Sequence, residues 1–174
     1  MIVWVNGAFG AGKSTTAELL LKALPDGHLY DPEYIGYVLM RFVPGQVDDF
    51  QDLPLWRELT VHTLGGLAES YGGTWVVPMT LVDAGYRAAI LGGLRGRGLA
   101  VRQFVLTLPA DDLHARIDGD DATTGDARVW RHDHVASAAA LDGLAGTEPA
   151  TWRIDATAAP EQVVAAILEH CGKS

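Results

Sequence analysis

Residues 7–14 read Gly-Ala-Phe-Gly-Ala-Gly-Lys-Ser and stand directly after the apolar run Ile2–Val5 and directly before a stretch of helical period. Few segments constrain a fold more. A glycine-rich turn between a strand and a helix aims successive backbone N–H groups, and the positive end of the helix dipole, at one point in space. The spacing is that of GxxxxGK[ST], a phosphate-binding loop. On this reading Gly7, Ala8, Phe9, Gly10, Ala11, Gly12 and Thr15 belong to a nucleotide cradle. Lys13 reaches the β- and γ-phosphates, and Ser14 supplies a hydroxyl to Mg²⁺, a cation that prefers oxygen ligands and keeps several waters. Only three lysines occur, Lys13, Lys22 and Lys173, so the loop holds one of very few.

The rest of the chain repeats the same alternation. Apolar runs of strand length at Ile2–Val5, His28–Tyr30, Thr74–Pro78, Ala100–Leu106 and Thr151–Ile154 are separated by helical patterns. The helices are expected near Lys13–Leu24, Glu33–Phe42, Leu55–Tyr71, Tyr86–Arg95, Asp111–Arg116, Ala127–Leu144 and Glu161–His170. That order predicts an α/β P-loop NTPase with a five-stranded parallel sheet sandwiched by helices, one domain spanning residues 1–174. Asp118–Asp126 is polar and rich in Asp, Gly and Thr, which reads as a lid loop over residues 118–128. Its four acidic residues, Asp118, Asp120, Asp121 and Asp126, have no ready explanation in the sequence.

Composition narrows the partners. Thirteen Lys and Arg against twenty-two Asp and Glu give a net charge of −9, with no basic footprint for nucleic acid or an anionic membrane. A single cysteine, Cys171, excludes an intrachain disulfide and fits a reducing, cytoplasmic setting. No apolar run has the length of a membrane span, and the start of the chain does not read as a signal peptide. The expected partner is a small molecule. The sequence leaves oligomeric state open, a homodimer included.

A phosphate loop does not name a reaction, and absences narrow the choice. Asn6 is the only asparagine, so the Asn-Lys-x-Asp guanine signature is missing. The third strand ends Pro78-Met79-Thr80 rather than in the acidic pair of a motor ATPase. Asp31, at the end of the second strand, supplies the acidic group instead. There it can take a proton from an acceptor hydroxyl, hold a water on Mg²⁺, or simply cap the helix that Pro32 and Glu33 begin. Arg57 extends an apolar stripe towards a helix start, where a cation needs an anionic partner such as Asp31, a phosphate or substrate. Trp56 beside it is either core or a surface on which a planar substrate stacks. Arg116, Arg128 and Arg131 lie around the lid, where arginines offset charge on a transferring phosphoryl or remain solvated. His132 and His134, two apart on a helix, face different ways and are not a metal pair. Cys171 continues a core stripe.

The strings IVWVNGAFGAGKS, YDPEYIGYVL, DDF with Gln51, PLWR and VVPMTLV resemble the tunicamycin resistance proteins of the TmrB type, most closely from Met1 to about Leu106. What the resemblance implies is a kinase fold of shikimate- or nucleoside-monophosphate-kinase type, binding ATP or GTP with Mg²⁺ and acting in resistance to nucleoside antibiotics. It also resembles chloramphenicol 3-O-phosphotransferase, which places an aspartate base where Asp31 stands. The expected reaction is transfer of a γ-phosphoryl group to a hydroxyl of a nucleoside-type antibiotic. Lys13, Asp31, Arg57 and Arg128 are its candidate catalytic residues. Arg116 joins the nucleotide side, Trp56, Arg57 and Thr80 the acceptor side, and Ser14 holds the metal. Two other readings stay open: a nucleotide-dependent protein that sequesters the drug, and a metabolic sugar or nucleoside kinase.

Overall fold

The computed structural model describes residues 1–120 and 125–172. Its strands are β1 (Ile2–Gly7), β2 (Gly27–Leu29), β3 (Thr74–Pro78), β4 (Val101–Thr107) and β5 (Thr151–Asp155), all parallel in the order β2-β3-β1-β4-β5. The helices are α1 (Lys13–Ala23), α2 (Glu33–Met40), α3 (Pro54–Tyr71), α4 (Ala84–Arg87), α5 (Gly93–Gly96), α6 (Ala110–Asp118), α7 (Asp126–Asp133), α8 (Ser137–Asp142) and α9 (Pro160–Cys171). A π-helical stretch, Ala88–Gly92, joins α4 to α5, so the single helix expected there is continuous but loosened in its middle.

Strand periodicity sorts the core into two layers. In β1 every residue is buried, with Val3 and Val5 packing on α1, α6 and α9 and Ile2 and Trp4 packing on α3 and the 84–96 helix. A strand covered on both faces needs an unbroken apolar run, which is what Ile2–Val5 provides. Parallel strands also put all their carboxyl ends on one edge, where open α/β sheets bind ligands. Cys171 packs half-buried against the α1/α9 layer, where burial pushes its thiol up from the usual range.

The helix expected over Ala127–Leu144 is broken. His134 ends α7 with its N–H directed at the carbonyls of Trp130 and Arg131, and Val135 then turns inward into the α1/α9 layer. Burying Val135 there and Leu141 against β4 requires two helix axes rather than one. The lid expected over 118–128 begins inside α6 and ends inside α7. Residues 121–124, Asp121 among them, lie outside the described residues.

Asn6 fixes the edge that matters. Fully buried, it accepts the N–H of Gly7 at 2.8 Å and of Leu81 at 3.0 Å through Oδ1, and its Nδ2 donates to the Leu81 carbonyl at 3.0 Å. Thr80 Oγ1 donates to the Gly7 carbonyl at 2.8 Å. The phosphate loop is thus tied to the chain leaving β3. Replacing Asn6 by Ala would orphan groups in a dry interior, each at about 1–3 kcal/mol. We expect Asn6→Ala to lose about 3 kcal/mol of stability in urea unfolding; an unchanged midpoint would show that the amide does not carry this junction.

Candidate active site

The loop from Phe9 to Thr16 lines a cavity of about 560 Å³ beyond the carboxyl ends of the strands. Gly10 and Gly12 adopt left-handed backbone (φ 81° and 89°), and a Cβ on Gly10 would lie 2.9 Å from the Leu113 carbonyl, so side chains are excluded where the loop curls. Helix α1 starts after Gly12 with no side-chain cap, which leaves its first-turn N–H groups directed at the cavity. An uncapped helix start beside Lys13 suits a polyphosphate. Gly7 and Ala8 lie beneath the loop and present their carbonyls to Lys13 Nζ, each at 3.0 Å. Burial lowers the Lys13 pKa to about 8, with the Glu33 charge opposing that shift and Arg131 adding to it. Ser14 and Thr15 line the same wall. Among the described residues no cluster of His, Cys, Asp or Glu is built to hold a metal ion, so a Mg²⁺ here would rest on Ser14, phosphate oxygens and water.

The far end of this cavity is closed by Arg116, Ala156 and Pro160. Arg116 Nη2 donates to the Ala156 carbonyl at 2.8 Å, tying the end of α6 to the loop after β5. Asp155 Oδ1 shapes that loop by accepting the N–H and hydroxyl of Thr157 at 2.9 and 2.7 Å.

A second cavity of about 320 Å³ opens on the other side of Lys13, between α2, the Phe50–Asp52 turn, the end of β3 and α7. Tyr37, Met40, Phe50, Met79 and Trp130 give it an aromatic and thioether surface, with Asp48, Asp49, Gln51 and Thr80 as polar groups. Phe50 seats there because α2 carries Gly36, where a Cβ would meet the ring at 2.4 Å. Phe9 stacks edge-on against Trp130 of α7 (4.8 Å between centroids), with Lys13 over its ring at 5.1 Å. The two cavities share four wall residues, Phe9, Lys13, Glu33 and Arg131.

Trp56, Arg57 and Arg128, expected at the site, lie elsewhere. Trp56 is wholly buried, its indole N–H donating to the Pro32 carbonyl at 3.0 Å and its ring packed on Phe50, so it braces the Asp31-Pro32-Glu33 turn from beneath and offers no surface to a substrate. Arg57 borders neither cavity. The first turn of α3 faces the Phe50–Asp52 turn and α4, so its guanidinium donates to the Gln51 carbonyl and sits over the Tyr86 ring at 4.2 Å instead of meeting Asp31. Arg128 donates to the Asp120 carbonyl at 3.0 Å and is not in either cavity wall, whereas Arg131, one turn on, is in both. Asp31 lines the nucleotide cavity alone, with Oδ1 accepting the Glu33 N–H at 2.9 Å in the capping role. Thr80 holds the phosphate loop and lines the second cavity.

The acidic lid acquires partners. Asp120 pairs with Arg131 at 2.7 Å and Asp118 with His132 at 2.9 Å, while His132 meets His114 of α6 and His134 stacks on Trp130. Glu33 emerges as a site residue that the sequence reading did not single out, and Arg131 takes the place expected of Arg128. The available signal for Glu33 was its position two residues after Asp31, on the same strand-to-helix turn.

The Lys13 environment sets two expectations. Its ammonium is held among buried groups at a cost, so Lys13→Met should raise the melting temperature of the nucleotide-free protein by about 2–4 °C, ~1 kcal/mol for a chain of this size. The same substitution should abolish the further rise on adding ATP·Mg²⁺. In the native protein, nucleotide affinity should weaken as pH climbs through about 8, because the free ammonium loses its proton there. Stability without nucleotide should rise between pH 8 and 10.5, where the unfolded lysine still binds a proton that the folded one has released.

Comparison with solved structures bears out the resemblance read from the sequence. A tunicamycin resistance protein from Deinococcus radiodurans superimposes with a TM-score of 0.75 at 27% identity, over 99% of this chain and 96% of its own. A sugar kinase from a Janibacter species (TM-score 0.71, 18% identity, 98% and 93% covered) and a gluconokinase from Sinorhizobium meliloti (0.68, 16%, 97% and 89%) share the fold. A comparison with curated proteins gives no match. The model of the AAA domain family (AAA_33) matches residues 2–144, and with the phosphate loop and parallel sheet described above this chain belongs to that family, in the architecture of a P-loop small-molecule kinase.

Proposed function

We propose that the protein transfers the γ-phosphoryl group of ATP or GTP to a hydroxyl of a nucleoside-type antibiotic, in the cytoplasm where NTP·Mg²⁺ is abundant. The observation that carries this reading is the meeting of two cavities at Lys13 and Arg131. One is built from main-chain N–H groups and suits a nucleotide; the other is aromatic and lies across the phosphate end of the first. Its volume, about 320 Å³, falls at the lower end of small-ligand sites and fits a nucleoside or sugar moiety. Planar rings such as Tyr37, Phe50 and Trp130 suit a base or another flat group. The likeness to a tunicamycin resistance protein supports an antibiotic over an ordinary metabolite.

In this reading the loop holds the donor, Lys13 spans the transferring phosphate, and Arg131 takes the charge-neutralising role expected of a lid arginine. Ser14 would hold Mg²⁺, which would supply positive charge to offset that of the phosphates. Arg116 and Pro160 border the distal part of the donor cavity, where the nucleoside of the donor would lie.

Mass spectrometry of tunicamycin and other nucleoside antibiotics, incubated with the protein, Mg²⁺ and ATP or GTP, tests the proposal. We expect one added phosphoryl group on at least one drug, absent with Lys13→Ala. Tight drug binding without a mass gain would point instead to sequestration, and transfer to unmodified sugars or nucleosides in preference to every drug would point to a metabolic kinase.

A further inference from the structure

Phosphoryl transfer to a hydroxyl needs a group that takes the hydroxyl proton as the new bond forms, and that group must touch the space where donor and acceptor meet. Four residues wall both cavities, and Glu33 is the one carboxylate among them. Asp31 borders only the donor side and spends one oxygen on the Glu33 N–H. We propose that Glu33, rather than Asp31, is the general base of this site.

The geometry around Glu33 supports the role. Tyr37 donates its phenolic hydrogen to Glu33 Oε2 at 2.8 Å, one helical turn along α2, which holds the carboxylate in one orientation and leaves the other oxygen for a substrate. Burial and the adjacent Glu33 charge push the Tyr37 phenol up to about 12, so it stays a donor across the working range. Lys13 and Arg131 line the same two cavities as Glu33, and the Glu33 charge acts on the Lys13 ammonium, which places the carboxylate beside the cations expected at the point of transfer. In the step itself the acceptor oxygen bonds to the γ-phosphorus, the bond from that phosphorus to the bridging oxygen breaks, and the nucleoside diphosphate leaves with that electron pair. The acceptor proton passes to the Glu33 carboxylate and from there to solvent. Asp31 is left to set the turn from which Glu33 projects.

The inference rests on the phosphotransfer reading of the two cavities but not on the identity of the acceptor, and the test separates them. ADP release from ATP·Mg²⁺ is followed with tunicamycin as acceptor and, separately, with water alone, which occupies the acceptor position in slow hydrolysis. ATP affinity is measured alongside by fluorescence titration. We expect Glu33→Gln to lower kcat about 100-fold with either acceptor, with ATP Kd and tunicamycin KM within threefold of the native protein. Glu33→Asp should retain more of the rate than Glu33→Gln, and Asp31→Asn should cost less than Glu33→Gln. A Glu33→Gln rate within threefold of native, a parallel loss of ATP binding, or a larger loss in Asp31→Asn would overturn the assignment. If tunicamycin is not phosphorylated but hydrolysis falls with Glu33→Gln, tunicamycin is not the acceptor and the base stands. If the native protein releases no ADP with either acceptor, both fail.

Discussion

The site depends on one buried amide. Asn6, at the end of the central strand, satisfies three backbone groups of Gly7 and Leu81, and Thr80 adds a bond to the Gly7 carbonyl. Together they fuse the phosphate loop to the segment leaving β3. A loop held only by its own glycines would be free to open, because glycine restricts backbone conformation least. Anchored from below, its N–H groups keep their aim, and Lys13 finds the Gly7 and Ala8 carbonyls at a fixed distance.

From that anchor the two cavities follow. The sheet order places β3 on one side of β1 and β4 on the other, so the loop after β1 has α6 and the β5 loop along the first cavity and α2 along both, with the second cavity beyond it. Phe9 projects from the loop into the wall between the cavities and receives Trp130 from α7. The lid helix is therefore coupled to the phosphate loop through an aromatic contact, and Arg131, next along the helix, is carried to the junction by the same packing. Its salt bridge to Asp120 joins the two ends of the lid segment and accounts for one of the lid carboxylates.

Charge at the junction is balanced by position rather than by number. The chain carries a net charge of −9, yet Lys13 and Arg131 meet where the two cavities join, while Asp48 and Asp49 line only the second cavity. Desolvation makes the Lys13 ammonium costly in the absence of nucleotide, and an arriving phosphate would relieve that cost. Such preorganisation concentrates binding energy at the transferring group.

The strand–loop–helix at residues 2–23, the five parallel strands and the nucleotide side of the site were legible in the sequence, because local periodicity and glycine spacing are properties of neighbouring residues. So was the turn at Asp31, whose capping role is encoded within three residues. Placement across elements was not. Trp56 and Arg57 look like site residues in a linear reading, but the rotation of α3 against the Phe50–Asp52 turn sends one into the core and the other onto Tyr86. Arg128 and Arg131 are equivalent in sequence context, and only the break at His134 and the packing of Trp130 on Phe9 decide which reaches the cavity. The sequence by itself determined that this chain is an α/β phosphate-binding fold with a lysine and a serine at its centre. Tertiary structure decided that Glu33 and Arg131 share that centre, since which side chains meet depends on helix rotation and long-range packing, and no short-range pattern records either.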